Sequence, residues 1–186
     1  MSSNTLAAWQ STNIDTESPN MAIDWPAMNE RGPQVTEVSV TKFEAQLGAT
    51  LPEDYRAFLL DVNGGQTGRN HCVFTIWLRK SRTDETVLNS LNSLDDPDDR
   101  SDLVTRWKRA RKWLPQEVIP VGYDDGGGTV VVVVAGPRRG QVWFLDGVDP
   151  RPEDANPRVE WFDQRDVSKV ADSFHEFMVR LRPLDG

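Results

Sequence analysis

The chain has 186 residues, of which 38% are hydrophobic and 27% are charged, proportions typical of a globular domain with a sizeable core. Asp and Glu number 29 against 21 Lys and Arg, which gives a formal charge of −8. This excess of carboxylates disfavours nucleic acid or an anionic membrane as the main partner, since both bind basic surfaces. Two interpretations remain: a basic protein partner, such as a nuclease domain, or an acidic surface that only maintains solubility.

The N-terminal segment carries few signals of ordered structure. Residues 1–20 are rich in Ser, Thr and Asn, and we interpret them as a loosely ordered tail before one domain at residues 21–186. The segment lacks the basic and apolar regions of a secretory signal, and no apolar run approaches the roughly 20 residues that span a bilayer. The single Cys72 cannot form an internal disulfide. These features predict a cytoplasmic protein.

Two short helices are predicted within residues 40–62. The first has an apolar face at helical spacing, made of Val40, Phe43, Leu47 and Leu51. Gly48 supplies its left-handed cap, and Pro52 suits the start of the second helix. The apolar face of the second helix consists of Tyr55, Phe58, Leu59 and Val62. Residues 63–65, Asn-Gly-Gly, end that helix because they reach positive φ at little cost.

The middle of the chain predicts a strand, a loop and a third helix. Residues 72–77 are a β-branched and aromatic run, typical of a strand, whereas residues 80–92 carry mixed signals and receive no assignment. A polar, proline-containing loop at residues 95–99 leads into the helix. Its buried stripe is Leu103, Trp107, Ala110 and Leu114. Pro115 is expected to end the helix.

The second half of the chain is rich in predicted strands. Residues 118–121, 129–135 and 141–145 each predict a strand, with a hairpin turn at residues 136–140. The unbroken valine run of the second strand predicts burial on both faces and a central position. Residues 158–162 predict an edge strand beyond a Pro-rich loop.

A closing helix is predicted near the C-terminus. Ser173 and Glu176 fit a capping box, in which Ser173 bonds the third helical N–H and Glu176 reaches back to the cap. The apolar face of this helix consists of Phe174, Phe177, Met178 and Leu181, and Pro183 follows it.

Several of these segments, in this order, resemble one family. They are E..LG..LP.DYR.FL...NGG within residues 43–65, VIPVGYDDGGGTVVVVV with GQVWFLD within residues 118–146, and VADSFHEFMVRL at residues 170–181. The succession resembles the SUKH superfamily, which includes bacterial toxin-immunity proteins and a yeast cell-wall assembly regulator. The resemblance extends over roughly residues 36–182. It implies a single α+β domain, with helices packed around a mainly antiparallel, curved sheet, and a protein-binding role rather than an enzymatic one.

Two candidate chemical sites have structural explanations that we favour. Residues 124–128, Asp-Asp-Gly-Gly-Gly, are followed by a strand rather than a helix, so they predict a tight turn or bulge and not a phosphate loop. His71, Cys72 and His175 are too few for a four-ligand zinc site unless a carboxylate joins them. Cys72 with His175 as its base is a conceivable nucleophile, but a buried thiol beside an apolar strand is the commoner case. We therefore predict no metal and no cofactor.

Residues 106–113 carry five basic residues beside two tryptophans, a combination that can bind single-stranded nucleic acid. Trp107, however, belongs to the apolar stripe, and the whole chain is acidic. We interpret the basic residues as a solvated helix face. Of the seven tryptophans, Trp107 and Trp143 are expected in the core, while Trp113 and Trp161 lie where partial exposure is expected.

The resemblance implies a non-catalytic binding module, most specifically an immunity protein that neutralises a bacterial toxin. The acidity of the chain agrees with a toxin that has a basic surface. The alternative is a regulatory or scaffolding protein of the same fold. A small hydrolase that uses Asp124 and Asp125, or Cys72 and His175, is a distant third. The predicted partner-binding residues are Asp95, Asp96, Asp98, Asp99, Asp124 and Asp125.

Overall fold

The computed structural model describes residues 25–26, 28–78, 82–147, 160–164 and 166–184; the predicted tail lies outside them. The helices are α1 (Glu37–Leu47), α2 (Glu53–Asp61), α3 (Leu103–Ala110) and α4 (Phe174–Val179), and a short 3₁₀-helix spans Trp161–Asp163. The strands are β1 (Met28–Arg31), β2 (Gly65–Thr67), β3 (Val73–Leu78), β4 (Arg82–Leu91), β5 (Val118–Asp124), β6 (Thr129–Val133), β7 (Val142–Leu145) and β8 (Val167–Ala171).

The described strands form one antiparallel sheet. Its order is β1-β2-β4-β5-β6-β7-β8, and β3 pairs with β4 beside this path. β3 and β8 are not neighbours in this order, yet they pack against each other, so the sheet curves without closing. This arrangement confirms the predicted α+β fold with helices around a curved antiparallel sheet.

The main core lies between the helices and the inner face of the sheet. α1 contributes Val40 and Phe43, and α2 and α4 contribute aromatic residues that pack on one another. The rings of Tyr55 and Phe174, for example, meet edge to face with centroids 4.8 Å apart. Such packing adds to the area buried, because the positive ring edge meets the negative ring face.

A second, smaller core covers the outer face of the sheet. Val131 and Val133 point into it, whereas Val130 and Val132 point into the main core. β6 is accordingly buried along its whole length between β5 and β7, which confirms the central position predicted from its valine run. Leu114 and Phe162 cover this face, and Trp113, Trp143 and Trp161 pack at its margin.

Close backbone packing explains the glycines that follow α2. Gly65 has φ +98°, and a Cβ there would lie 2.1 Å from the carbonyl oxygen of Glu30 in β1. Gly64 has φ +76°, and its Cβ would lie 2.5 Å from the carbonyl oxygen of Asn92. α2 ends at Asp61, and Asn63 is the first residue after it with positive φ, at 56°. The two glycines that follow admit neighbouring chain segments that a side chain would displace.

Four strands were not predicted: the short, polar β1 and β2, and the longer β4 and β8. Residues 82–91 form β4, the longest strand of the described chain, although Asp84, Glu85 and Asn89 have low strand propensity. Pairing with β3 along its first half and with β5 near its end overrides that propensity. β8 was missed because its sequence VSKVA places Ser168 and Lys169 together between apolar residues, without the strict alternation that indicates a half-buried strand.

The edge strand predicted at residues 158–162 is wrong where the structure describes it. Trp161–Asp163 is a 3₁₀-helix instead, and residues 158–159 lie outside the described part. Phe162 in this turn packs over the outer face of the sheet, a position that a flat edge strand would not give it. β8 takes the edge beside β7.

Two helix ends also differ from prediction. α3 ends at Ala110 rather than at Pro115, although Leu114 N–H still donates to the Ala110 carbonyl at 2.8 Å. At α4, Ser173 Oγ accepts from Glu176 N–H at 3.0 Å as predicted. Glu176 Oε2, however, accepts from Asp172 N–H at 2.6 Å, one residue before the cap. None of the described helices has the length and apolar character needed to cross a membrane.

Candidate functional site

Four of the six predicted partner-binding aspartates lie in one loop, residues 92–102, between β4 and α3. Backbone hydrogen bonds close the base of this loop. Ser93 N–H donates to the Ser101 carbonyl at 2.9 Å, and Leu103 N–H donates to the Ser93 carbonyl at 2.8 Å. The tip at residues 95–99 therefore projects from a fixed base.

The loop is anchored to the protein interior by Asn63, which is 2% exposed. Its Nδ2 donates to the carbonyl oxygens of Leu94 at 2.8 Å and Pro33 at 2.6 Å. Its Oδ1 accepts from Leu94 N–H at 2.8 Å. Because a buried amide with these partners is costly to displace, Asn63 holds the residue directly before Asp95. Asp95 then adopts φ 58°, a region that Asp tolerates better than most residues.

The loop aspartates are only partly paired. Asp95, Asp98 and Asp99 are exposed, and Asp96 is half-buried. Hydrogen bonds from the backbone and side chain of Arg100 lower the pKa of Asp98, so this carboxylate stays charged at neutral pH. Asp99 lies 3.9 Å from the guanidinium of Arg109 in α3, a distance at which an exposed pair contributes little.

The other two predicted residues lie where β5 turns toward β6: Asp124 is the last residue of β5, and Asp125 is the first residue of the turn. Asp124 is 8% exposed, and its two oxygens accept from Gly128 N–H at 2.5 Å and Thr86 Oγ1 at 2.6 Å. It therefore holds the turn, as the structural interpretation of this segment predicted. Asp125 is exposed, and its Oδ1 accepts from Asn89 Nδ2 at 2.7 Å.

The structure thus places the six aspartates in two groups along β4. Asp124 pairs with Leu88, whereas the acidic loop begins four residues later, at Asn92. At the usual rise of a strand, four residues correspond to about 13 Å. A protein surface of ordinary size can cover both groups, since a typical interface buries about 800 Å² on each partner.

The Cys72 and His175 side chains have surroundings that do not favour nucleophilic chemistry. Cys72 Sγ donates to the Arg69 carbonyl at 3.4 Å, and burial raises the pKa of this thiol, which keeps it in the unreactive protonated form. The His175 ring packs against Trp25, with centroids 5.7 Å apart. Among the described residues, no three His, Cys, Asp or Glu side chains are grouped to hold a metal ion.

The basic helix has the arrangement predicted for a solvated face. Trp107 is buried, so its ring does not offer a stacking platform for nucleotide bases. Lys108 and Arg109 are exposed. The Arg106 guanidinium lies 3.9 Å from the centre of the Tyr123 ring and also contacts its hydroxyl, and Arg111 lies over Trp107.

One exposed aromatic residue was missed. Trp77 in β3 is 52% exposed, beside a groove that also contains Trp143. Trp143 was expected in the core but is half-buried, as are Trp113 and Trp161, for which partial exposure was predicted. The exposure of Trp77 could have been predicted from its strand. Side chains alternate between the two faces of a strand, so Trp77 points outward when Ile76 lies in the core.

Comparison with known proteins identifies a family. The model of the SMI1 / KNR4 family (SUKH-1) matches residues 34–180, which include α1 through α4 and every described strand except β1. No curated protein sequence matches the chain significantly.

Proposed function

The chain belongs to the SMI1 / KNR4 family (SUKH-1), and on this premise we propose that it is an immunity protein that binds and neutralises a bacterial toxin. Members of this family are generally protein-binding and non-catalytic. The family match over most of the chain is the observation that carries the proposal. The acidic surface supports it, because many toxin domains that act on nucleic acid are basic.

In the proposed mechanism, exposed carboxylates steer the toxin toward the protein and then cover its active site. Asp95, Asp96, Asp98 and Asp99 form one acidic contact, and Asp125 supplies another on the neighbouring turn. Asp124 contributes by holding the shape of that turn. Electrostatic steering raises association rates and weakens as salt screens the charges. The protein would act in the cytoplasm, without a cofactor, where it meets the toxin.

The alternative is a regulatory or scaffolding role, which the same family match also supports because the SUKH superfamily includes a yeast regulator. Genomic context separates the two functions. A neighbouring gene for a long secreted toxin favours immunity, whereas its absence, together with recovery of endogenous regulators as partners, favours regulation.

The first experiment is co-purification of partners at low and moderate salt, followed by co-expression with any toxin recovered. We expect a stoichiometric toxin whose activity the chain abolishes. Failure to abolish the activity of the recovered partner would contradict the immunity proposal.

Charge variants then test the acidic loop. Replacing Asp96, Asp98 and Asp99 by Asn is expected to slow association several-fold at low salt, with a smaller effect at high salt. The matched control removes the same charge at three exposed residues outside the loop, namely Glu30, Glu53 and Asp61. Equal slowing by both variants would show that overall charge, and not this loop, governs association.

A further inference from the structure

A cleft of about 190 Å³ lies between α1, α3 and the loop at residues 92–102. Phe43 and Leu94 are buried and form its base together with the half-buried Val104. The other side chains of its lining are polar or charged. Pockets for drug-sized molecules are larger, at roughly 300–1,000 Å³, so the size of this cleft suits a small ligand.

Four charged side chains line the cleft, two of each sign. Lys42 comes from α1 and Lys108 from α3, whereas Asp95 lies in the loop and Asp102 is the N-cap residue of α3. The lining is therefore balanced in charge, although the chain as a whole has a formal charge of −8.

These four groups do not neutralise one another. Within the part of the chain that the structure describes, Lys42 and Lys108 form no ion pair and the Asp95 carboxylate accepts no hydrogen bond. Asp102 Oδ2 accepts from Thr105 N–H at 2.8 Å, which leaves Oδ1 for another donor. Charges of both signs thus face one cavity without a partner inside it.

The other charged residues of α1, α3 and the loop already have partners, and none of them lines the cleft. The partners are Glu37 and Glu44 with Arg56, Asp98 with Arg100, Asp99 with Arg109, Arg106 with Tyr123, and Asp96 with the N–H of Asp98. The charge balance of the cleft therefore depends on its own two lysines and two aspartates.

Opposite charges are separated along the cleft. Asp102 stands at the start of α3, and Lys108 follows six residues later, which corresponds to about 9 Å along a helix axis. Ser93 forms a bridge with Asp102, so Asp95 lies within two residues of the same end. The cleft accordingly has an acidic end at the loop and a basic group farther along α3.

A ligand with one kind of charge satisfies only half of this lining. A carboxylate attracted by the lysines is repelled by the aspartates, and an ammonium meets the reverse arrangement. A molecule that carries both groups can bind both ends through charge-assisted hydrogen bonds of about 2.8 Å. The side chains of Ser39 and Gln46 add neutral donors and acceptors on the wall of α1.

We propose that the cleft binds a small zwitterion, namely a free amino acid, with its ammonium on the aspartates and its carboxylate on the lysines. The apolar base receives the amino-acid side chain. This binding does not depend on the proposed immunity function, since it requires no toxin. Asp95 is the one residue shared by the cleft and the predicted partner contact.

The test titrates small molecules into the full chain labelled with ¹⁵N, at constant ionic strength. The zwitterionic probes are glycine, alanine, serine and glutamine, and the singly charged probes are acetate and methylammonium. Backbone amide signals of residues 39–46, 94–95 and 102–108 are followed. We expect saturable shifts with at least one amino acid, and at least tenfold weaker binding of acetate and methylammonium.

Variants assign the binding to the cleft. Lys108→Met and Asp95→Asn each remove one charge at nearly constant size, and Asn tolerates the positive φ of Asp95. Each is expected to weaken amino-acid binding about tenfold, because a hydrogen bond to a charged group is lost. The matched controls are Lys112→Met and Asp99→Asn, which remove exposed charges outside the cleft and should leave the affinity unchanged. Urea unfolding checks that every variant folds.

Four results would overturn the proposal. They are the lack of a saturable shift with all four amino acids, equally tight binding of acetate or methylammonium, unchanged affinity after either cleft substitution, and equal weakening by the control substitutions. The last result would assign binding to the overall charge of the chain and not to the cleft.

Discussion

At the scale of single residues, the segment that follows α2 joins distant parts of the chain. Asn63 bonds Pro33 on one side and Leu94 on the other. Gly64 and Gly65 let the backbones of Asn92 and Glu30 approach without a side chain between them. The residues that were predicted to end α2 therefore also lie where β1, β2 and the acidic loop at residues 92–102 meet.

Two glycine variants separate backbone conformation from close packing. Gly48→Ala is expected to cost about 1 kcal/mol, because Gly48 has φ +73° but open space around its Cβ position. Gly65→Ala adds a contact of 2.1 Å with a backbone oxygen, so we expect a loss of more than about 3 kcal/mol. Urea unfolding measures both. Equal losses would show that the backbone shifts readily around Gly65.

Tyr55 predicts a pH dependence of stability. Its hydroxyl is buried and has no hydrogen-bond partner among the described residues, and burial raises the pKa of Tyr55 far above its ordinary value. The folded state thus keeps a proton that the unfolded state loses near pH 10. Stability contributed by the neutral phenol is present below that pH and is lost as pH rises, by about 1.4 kcal/mol at about pH 11.

The variant Tyr55→Phe removes this effect. At neutral pH it should be at least as stable as the original chain, because an unpartnered buried hydroxyl costs about 1–3 kcal/mol. At alkaline pH the difference in free energy of unfolding between Tyr55→Phe and the original chain should increase. Urea unfolding at both pH values provides the measurement, and a variant clearly less stable at neutral pH would reveal a partner for the hydroxyl.

At the scale of elements, the start of α4 is capped from two places. Ser173 accepts from Glu176 N–H within the helix, and Asp54 in α2 accepts from His175 N–H at 2.8 Å. Both bonds satisfy N–H groups that have no partner inside the helix. The carboxylate of one helix thereby fixes the start of another, a link that no local sequence pattern indicated.

The Asp54 cap can be tested by comparing two substitutions. Asp54→Ala is expected to lower the free energy of unfolding by about 1–2 kcal/mol, the usual loss when a cap acceptor is removed. Asp54→Asn keeps an acceptor oxygen and should retain most of that stability. Urea unfolding of both variants decides the matter, and similar losses would assign the effect to the charge and not to the hydrogen bond.

Strong local patterns predicted elements well, and weak ones did not. α1, α2, α4 and the valine strand β6 were predicted because their periodicity or composition is unambiguous. β4 and β8 were not, since their polar residues carry little strand preference and only pairing with other strands makes them extended. Trp161 and Phe162 look like strand residues but turn to cover the outer sheet face.

At the scale of the whole molecule, two cores share one sheet. The main core holds the helices against the inner face, and the smaller core covers the outer face. Alternate valines of β6 belong to different cores. Neither core can therefore come apart without exposing apolar side chains of the other core. The expectation that residues 21–186 act as one domain stays a prediction.

Cooperative unfolding tests that expectation. Urea unfolding followed by tryptophan fluorescence and by far-UV circular dichroism should give coincident midpoints. Val131→Ala in the outer core and Val132→Ala in the inner core should each cost about 2 kcal/mol, and each should shift both signals together. A shift in only one signal would indicate that the two cores unfold separately.

The sequence by itself determined the main helices, the central strand and the acidity of the chain, because these depend on periodicity and composition. It indicated the fold class through the resemblance to a family, which the order of motifs along the chain carries. It also located the acidic loop. Only the tertiary structure decided that Asp124 is buried while Asp125 is exposed, that Asn63 anchors the loop, and that Trp77 borders a groove. Each of those facts depends on contacts between residues more than 25 positions apart, which local pattern does not encode.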